Sequence, residues 1–160
     1  MQKAVILMGS KSDQEFCEKI RATITSYFIA AEMRIASAHR TPEYLLKILK
    51  EYYDSGDEIV AVTVAGLSDA LSGVVAAQRM FPVVACPPDV EKYDLQKVFS
   101  TAFTPSDVPV AFVSDPVKAG NYVAQIFALS NPELRNKIAA QLNEKKIQLQ
   151  RLDSEINRKA

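Results

Sequence analysis

The sequence is poor in the residues that build metal centres and disulfide frameworks. It has one histidine, His39, and two cysteines, Cys17 and Cys86, in 160 residues. A single imidazole without close cysteine or acidic partners excludes a His/Cys metal cluster. Two cysteines so far apart make neither a disulfide framework nor a metal-ligand spacing. Both are expected to be small buried hydrophobes. Cys86 ends an expected strand just before Pro87-Pro88, which offers no N–H donors to support a nucleophile. Neither charge is in excess, with 19 basic and 19 acidic residues, so no global field draws the chain to nucleic acid or to an anionic membrane. No apolar run approaches the roughly 20 residues that a membrane span requires. The N-terminus, Met1-Gln2-Lys3, leads into a short apolar strand rather than a signal peptide. These absences lead to the expectation of a soluble, cytoplasmic protein.

What remains is ordinary globular composition, 48% hydrophobic and 24% charged, with enough chain for one well-filled core. A single domain over 1–160 is expected, with a helical extension over about 131–158. Ala4 to Met8 reads as a strand buried on both faces. Ser12 with Glu15 three residues later forms a capping box, so a helix is expected from about 13 to 27. Ala30 to Ala36 is a second strand, with Met33 and Ile35 as its apolar members. Thr41 caps the next helix, Pro42 takes its first position and Glu43 its first turn. Glu58 to Val64 is a third strand, followed by a helix from near Ser68 to Met80. Strands at 81–85 and 108–113 complete the sheet, with a short helix over 95–101 between them. Helices opened by Asp115-Pro116 and Asn131-Pro132 end the chain. The alternation predicts an α/β, flavodoxin-like, three-layer fold whose five-stranded parallel sheet has the order 2-1-3-4-5.

In such sheets ligands bind beyond the carboxyl ends of the strands at the switch point, here between the first and third strands. Three loops rich in small residues should converge there: Gly9 to Asp13, Ser37 to Thr41 and Ala65 to Gly73. The first lacks the Gly-Lys-Ser/Thr ending of a phosphate loop and the three glycines of a dinucleotide fingerprint. It still joins a strand to a helix N-terminus, where backbone N–H groups and the helix dipole favour an anion. A lone loop histidine is more often solvated than functional, but His39 lies in one of the converging loops. Arg40 suits bidentate phosphate binding, Ser12 and Ser37 can donate to the same oxygens, and Asp13 suits paired ribose hydroxyls. His39 is left to move a proton. No Ser-His-Asp arrangement is evident. The residues point to cofactor-free proton transfer on a phosphorylated, ribose-bearing small molecule. A non-catalytic phosphate- or nucleotide-binding module fits the same loops.

Met8-Gly9-Ser10-Lys11-Ser12-Asp13 and Ser37-Ala38-His39-Arg40-Thr41 resemble the two signature motifs of the phosphoribosylaminoimidazole carboxylase (PurE) family of purine biosynthesis. The resemblance runs on through Ala65 to Gly73, Cys86-Pro87-Pro88 and Ala124 to Leu129, about the first 140 residues. It implies a flavodoxin-like homo-octamer that uses no ATP, biotin or metal. It also implies a substrate phosphate held by Ser12, Ser37 and Arg40, ribose hydroxyls held by Ser10 and Asp13, and His39 as general acid/base. Gly9, Ala38, Ala65, Gly66, Ser68, Asp69 and Ser72 complete the expected substrate-binding set. The implied partners are a phosphoribosyl aminoimidazole and CO2.

The family contains mutases, which move a carboxylate from the exocyclic nitrogen to ring carbon four, and carboxylases, which add free CO2 to that carbon. The third loop resembles the carboxylase pattern Ala-Gly-Arg-Ser-Asn-Ala-Leu-Ser-Gly. The mutase pattern has a histidine where Ala70 stands and a proline where Ser72 stands. Leu67 replaces an arginine of the carboxylase pattern, and Arg40 a lysine. Phe103 replaces an arginine before a Pro-Ser-Gly turn, and Asp107 replaces the glycine of that turn. Two positive charges near the site are thereby missing.

Overall fold

The computed structural model describes residues 1–90 and 96–158. Its centre is a parallel sheet of β1 (Gln2–Met8), β2 (Ala30–Ile35), β3 (Glu58–Val64), β4 (Val83–Ala85) and β5 (Ala111–Phe112). The strand order is β2-β1-β3-β4-β5, as expected of a flavodoxin-like fold. Six helices accompany it among the described residues: α1 (Gln14–Ser26), α2 (Pro42–Asp54), α3 (Ala70–Ala77), α4 (Gln96–Ala102), α5 (Pro116–Phe127) and α6 (Pro132–Asn157).

The apolar runs explain the layering. Successive side chains of a strand point to opposite faces, so a run without polar members buries both. Val5 and Leu7 of β1 join Leu45, Ile48 and Leu49 of α2 and Leu71 and Val75 of α3 in one core. Ala4, Ile6 and Met8, which alternate with them, are also buried, on the side where α1 meets the sheet. Cys17, Ile20 and Ile24 form the buried stripe of α1. β2 lies at the edge, and Ile35 is nearly half exposed. Charges occupy that edge, with Glu32 paired to Lys3 at 3.0 Å and accepting from the Tyr52 hydroxyl at 2.6 Å, which discourages pairing with a foreign strand.

Several local expectations are corrected. The first helical start is capped by Ser10, not Ser12: the Ser10 hydroxyl accepts from the Ser12 amide. The chain coils earlier than expected because a 3-10 turn, Lys11–Asp13, precedes α1. Thr41 occupies the cap position of α2 but makes no side-chain cap bond; its hydroxyl is engaged with Ser37. β4 starts at Val83 because Pro82 has no N–H, although its carbonyl still accepts from Ala61. α3 starts at Ala70 with Asp69 as its cap. Leu95, expected in the short helix, lies outside the described residues.

β5 is shorter than 108–113. Thr104 Oγ1 donates to the Val108 carbonyl at 2.7 Å and so occupies one of its acceptor sites. The preceding Asp107 has φ +66°, in the left-handed region that glycine occupies without cost and aspartate tolerates. Asp107→Gly is expected to leave thermal stability unchanged or slightly raised. Asp107→Val, β-branched at positive φ, should lower stability by about 1–2 kcal/mol. Thermal unfolding of the pair checks this; a Val variant as stable as the Gly variant would contradict it.

Contacts divide the chain into two compact units, Met1–Val123 and the residues from Ala124 onward. In the second unit the Asn131 side chain accepts from the Leu134 amide at 3.0 Å and caps α6. The Arg135 guanidinium donates to the carbonyls of Ala128 and Leu129, which satisfies acceptors left at the end of α5. No described helix is long and apolar enough to cross a membrane.

Candidate active site

β1 and β3 are hydrogen-bonded neighbours, and the chain leaves them toward opposite sides of the sheet, into α1 on one face and α3 on the other. Their carboxyl ends, with that of β2, open into a cleft of about 430 Å³, a size suited to a small molecule. All three small-residue loops contribute to it, and all belong to the first unit.

The first loop begins where the Gly9 amide donates to the Val64 carbonyl at 2.9 Å, tying it to the third. A Cβ on Gly9 would come no nearer to the protein than 3.8 Å, so the glycine is not required by internal packing. The Ser12 amide and hydroxyl both donate to Ser10 Oγ, at 3.3 and 3.0 Å. Asp13 is buried although ionisable. A Cβ built on Gly66 would stand 3.7 Å from Asp13 Oδ1, which shows how closely the first and third loops approach.

The second loop is closed by its own side chains. Ser37 Oγ accepts from the Arg40 amide at 3.2 Å. Thr41 Oγ1 accepts from the Ser37 amide at 3.0 Å and donates to the Ser37 carbonyl at 3.3 Å. These bonds hold the turn and leave His39 and Arg40 exposed at its tip.

The cleft is lined by Gly9, Ser10, Ser12 and Asp13, by Ser37, Ala38, His39 and Arg40, and by Ala65, Gly66 and Ser68. Asp69 and Ser72 do not line it. They are 2% and 0% exposed and lie in a hydrogen-bonded network at the foot of the third loop. Leu67, 73% exposed, does line the cleft, and so does Leu71. Of the two positions where the resemblance leads one to expect an arginine, Leu67 and Phe103, only Leu67 lines the cleft. Phe103 instead stacks on Phe99, with ring centroids 5.6 Å apart.

Sequence reasoning missed Thr63 and Thr101, the network's other members. Thr63 had a faint signal as the one hydroxyl in an apolar strand; Thr101 had none. Both cysteines are fully buried, and burial pushes each thiol up to about 12. At neutral pH they are thiols, and Cys86 is no nucleophile.

Fold and cleft together define a flavodoxin-like α/β enzyme acting on a small molecule. The AIR carboxylase family profile matches residues 3–148. The phosphoribosylaminoimidazole carboxylase of Archaeoglobus fulgidus is 43% identical over 96% of this chain and 84% of its own. The Homo sapiens bifunctional phosphoribosylaminoimidazole carboxylase/phosphoribosylaminoimidazole succinocarboxamide synthetase is 36% identical over 96% of this chain, which spans only 36% of that longer protein. The crystal structure of Treponema denticola PurE superposes with a TM-score of 0.91 at 31% identity, over 97% of this chain and 98% of that one. The chain belongs to the AIR carboxylase family.

Proposed function

We propose that this chain catalyses the reversible carboxylation of 5-aminoimidazole ribonucleotide (AIR) by CO2, giving 4-carboxy-AIR, in purine biosynthesis. The observation that carries this reading is the convergence of His39, Arg40, Ser37, Ser10 and Asp13 on one cleft, opposite the small-residue wall of the third loop. Arg40, Ser37 and Ser12 hold the phosphate, and Asp13 with Ser10 holds the ribose hydroxyls. The aminoimidazole ring is an electron-rich enamine. Its carbon four attacks the carbon of CO2, forming the C–C bond while one C–O π pair moves to oxygen. His39 then takes the ring proton and aromaticity returns. In the reverse direction His39 returns the proton and CO2 departs. Holding both reactants in contact supplies the rest of the acceleration.

The third loop favours direct carboxylation over the mutase reaction. Ala70 offers no imidazole, and the Ser72 amide donates to Asp69 at 3.2 Å, which the proline of the mutase pattern could not do. Supplying AIR and bicarbonate without ATP should give 4-carboxy-AIR. Turnover only with the nitrogen-carboxylated substrate would assign the chain to the mutases, and binding without turnover on either would leave a binding module. We further propose a cytoplasmic homo-octamer, checked by light scattering.

A further inference from the structure

We propose that Thr101 and Asp69 are positioning residues for the cleft. A buried chain of hydrogen bonds, Thr63–Ser72–Asp69–Thr101, sets the place of the wall formed by Ala65 to Ser68. It reaches that wall from α4, none of whose described residues lines the cleft.

The bonds fall in a definite order. Ser72 Oγ donates to Asp69 Oδ2 at 2.5 Å. A hydroxyl has one proton, so Thr63 donates the 2.7 Å contact to Ser72 Oγ, in preference to its 3.5 Å approach to the Val84 carbonyl. The Ser72 amide donates to Asp69 Oδ1, and the Thr101 hydroxyl donates to Asp69 Oδ2. Protons thus point from Thr63 to Ser72 to Asp69, and from Thr101 to Asp69.

The consequence lies in where these residues sit. Thr63 is in β3 just before the wall segment 65–68, and Ser72 is in the first turn of α3 beyond it. Their contact cinches the segment at both ends, and Thr101, 3% exposed, pins Asp69 within it from 32 residues away. The four residues between the anchors on the cleft side, 65 to 68, are held by this network, by the Gly9–Val64 bond and by Ala65, which is buried in the core at their start. Gly66 already lies close to Asp13, so a shift of the wall changes the space between the ring and ribose ends of the cleft. Burying a carboxylate is costly, and apolar residues of similar shape can fill such a place with little loss. What a fully bonded polar network adds is a single geometry.

The turnover arm of the test rests on the carboxylase reading; the structural arm does not. Thr101→Val removes one donor and keeps the shape, and Thr101→Ser keeps the donor. In Thr101→Val, backbone amides of 65–72 should exchange with deuterium about tenfold or more faster, the loss of one bond to a charged group, while those of β1 and α2 are unchanged. The kcat with AIR should fall about 10- to 100-fold with KM unchanged, because misplacement of reactants costs rate while the phosphate loops still bind. Thr101→Ser should restore both. Should Thr101→Val not fold, Ser72→Ala carries the same expectation. Exchange that rises evenly across the sheet, or loop exchange that stays unchanged, overturns the proposal, as does a full kcat in a variant with a loosened loop. If the wild-type protein does not carboxylate AIR, the functional reading fails, and the exchange arm alone decides whether the network holds the wall.

Discussion

His39→Asn is expected to lower carboxylation turnover by roughly a thousandfold, within the range a positioned acid/base contributes, while AIR still binds. The chain has one histidine, and the described side chains that line the cleft with it offer hydroxyls, one carboxylate and one guanidinium. The hydroxyls and guanidinium do not exchange protons readily at neutral pH, and Asp13 is assigned to the ribose. Asparagine keeps polarity and approximate size but cannot carry the proton. The loop should survive the change, because its turn is closed by Ser37 and Thr41 and not by the imidazole. The measurement is kcat from steady-state decarboxylation of 4-carboxy-AIR, alongside AIR binding by calorimetry. Near-normal kcat would remove His39 from the proton step; loss of binding would show that the substitution had disturbed the loop.

Arg40→Ala is expected to act on the other constant, raising KM for AIR about 10- to 100-fold with kcat changed far less. Arg40 is the one permanent cation among the described residues lining the cleft. Leu67 stands where a second could have been, so the phosphate has no alternative guanidinium there. A hydrogen bond to a charged group contributes about 1.5–3 kcal/mol, and a phosphate engages arginine through two. Since Arg40 is exposed, part of its effect is screened and should shrink as salt is raised. Arg40→Lys keeps a point charge without the fork and should fall between the two. Leu67→Arg should tighten binding and soften the Arg40→Ala defect. An unchanged KM in Arg40→Ala would place the phosphate elsewhere.

The two substitutions separate because one short turn presents both side chains from adjacent positions. That turn was legible in the sequence. Ser37, His39, Arg40 and Thr41 are contiguous, and their placement needed only the rule that such loops gather at the carboxyl edge. Its internal bonding was less so. Thr41 was expected to cap α2, and it closes the loop through Ser37 instead. Ser10 likewise took the cap expected of Ser12. A hydroxyl at a helix start has several nearby backbone partners, and which it takes depends on the turn that precedes it.

By itself the sequence determined the alternation of strands and helices, the order of the sheet and the three loops that meet at its switch point. Each rests on signals that are local along the chain: apolar runs, turn residues and contiguous motifs. The tertiary structure alone decided that Asp69 and Ser72 lie beneath the cleft rather than in it, and that Thr63 and Thr101 join them. Those assignments depend on how far the side chains of β3, α3 and α4 reach toward one another across the fold. A hydrogen bond between residues 32 positions apart leaves no period or spacing from which it could be read.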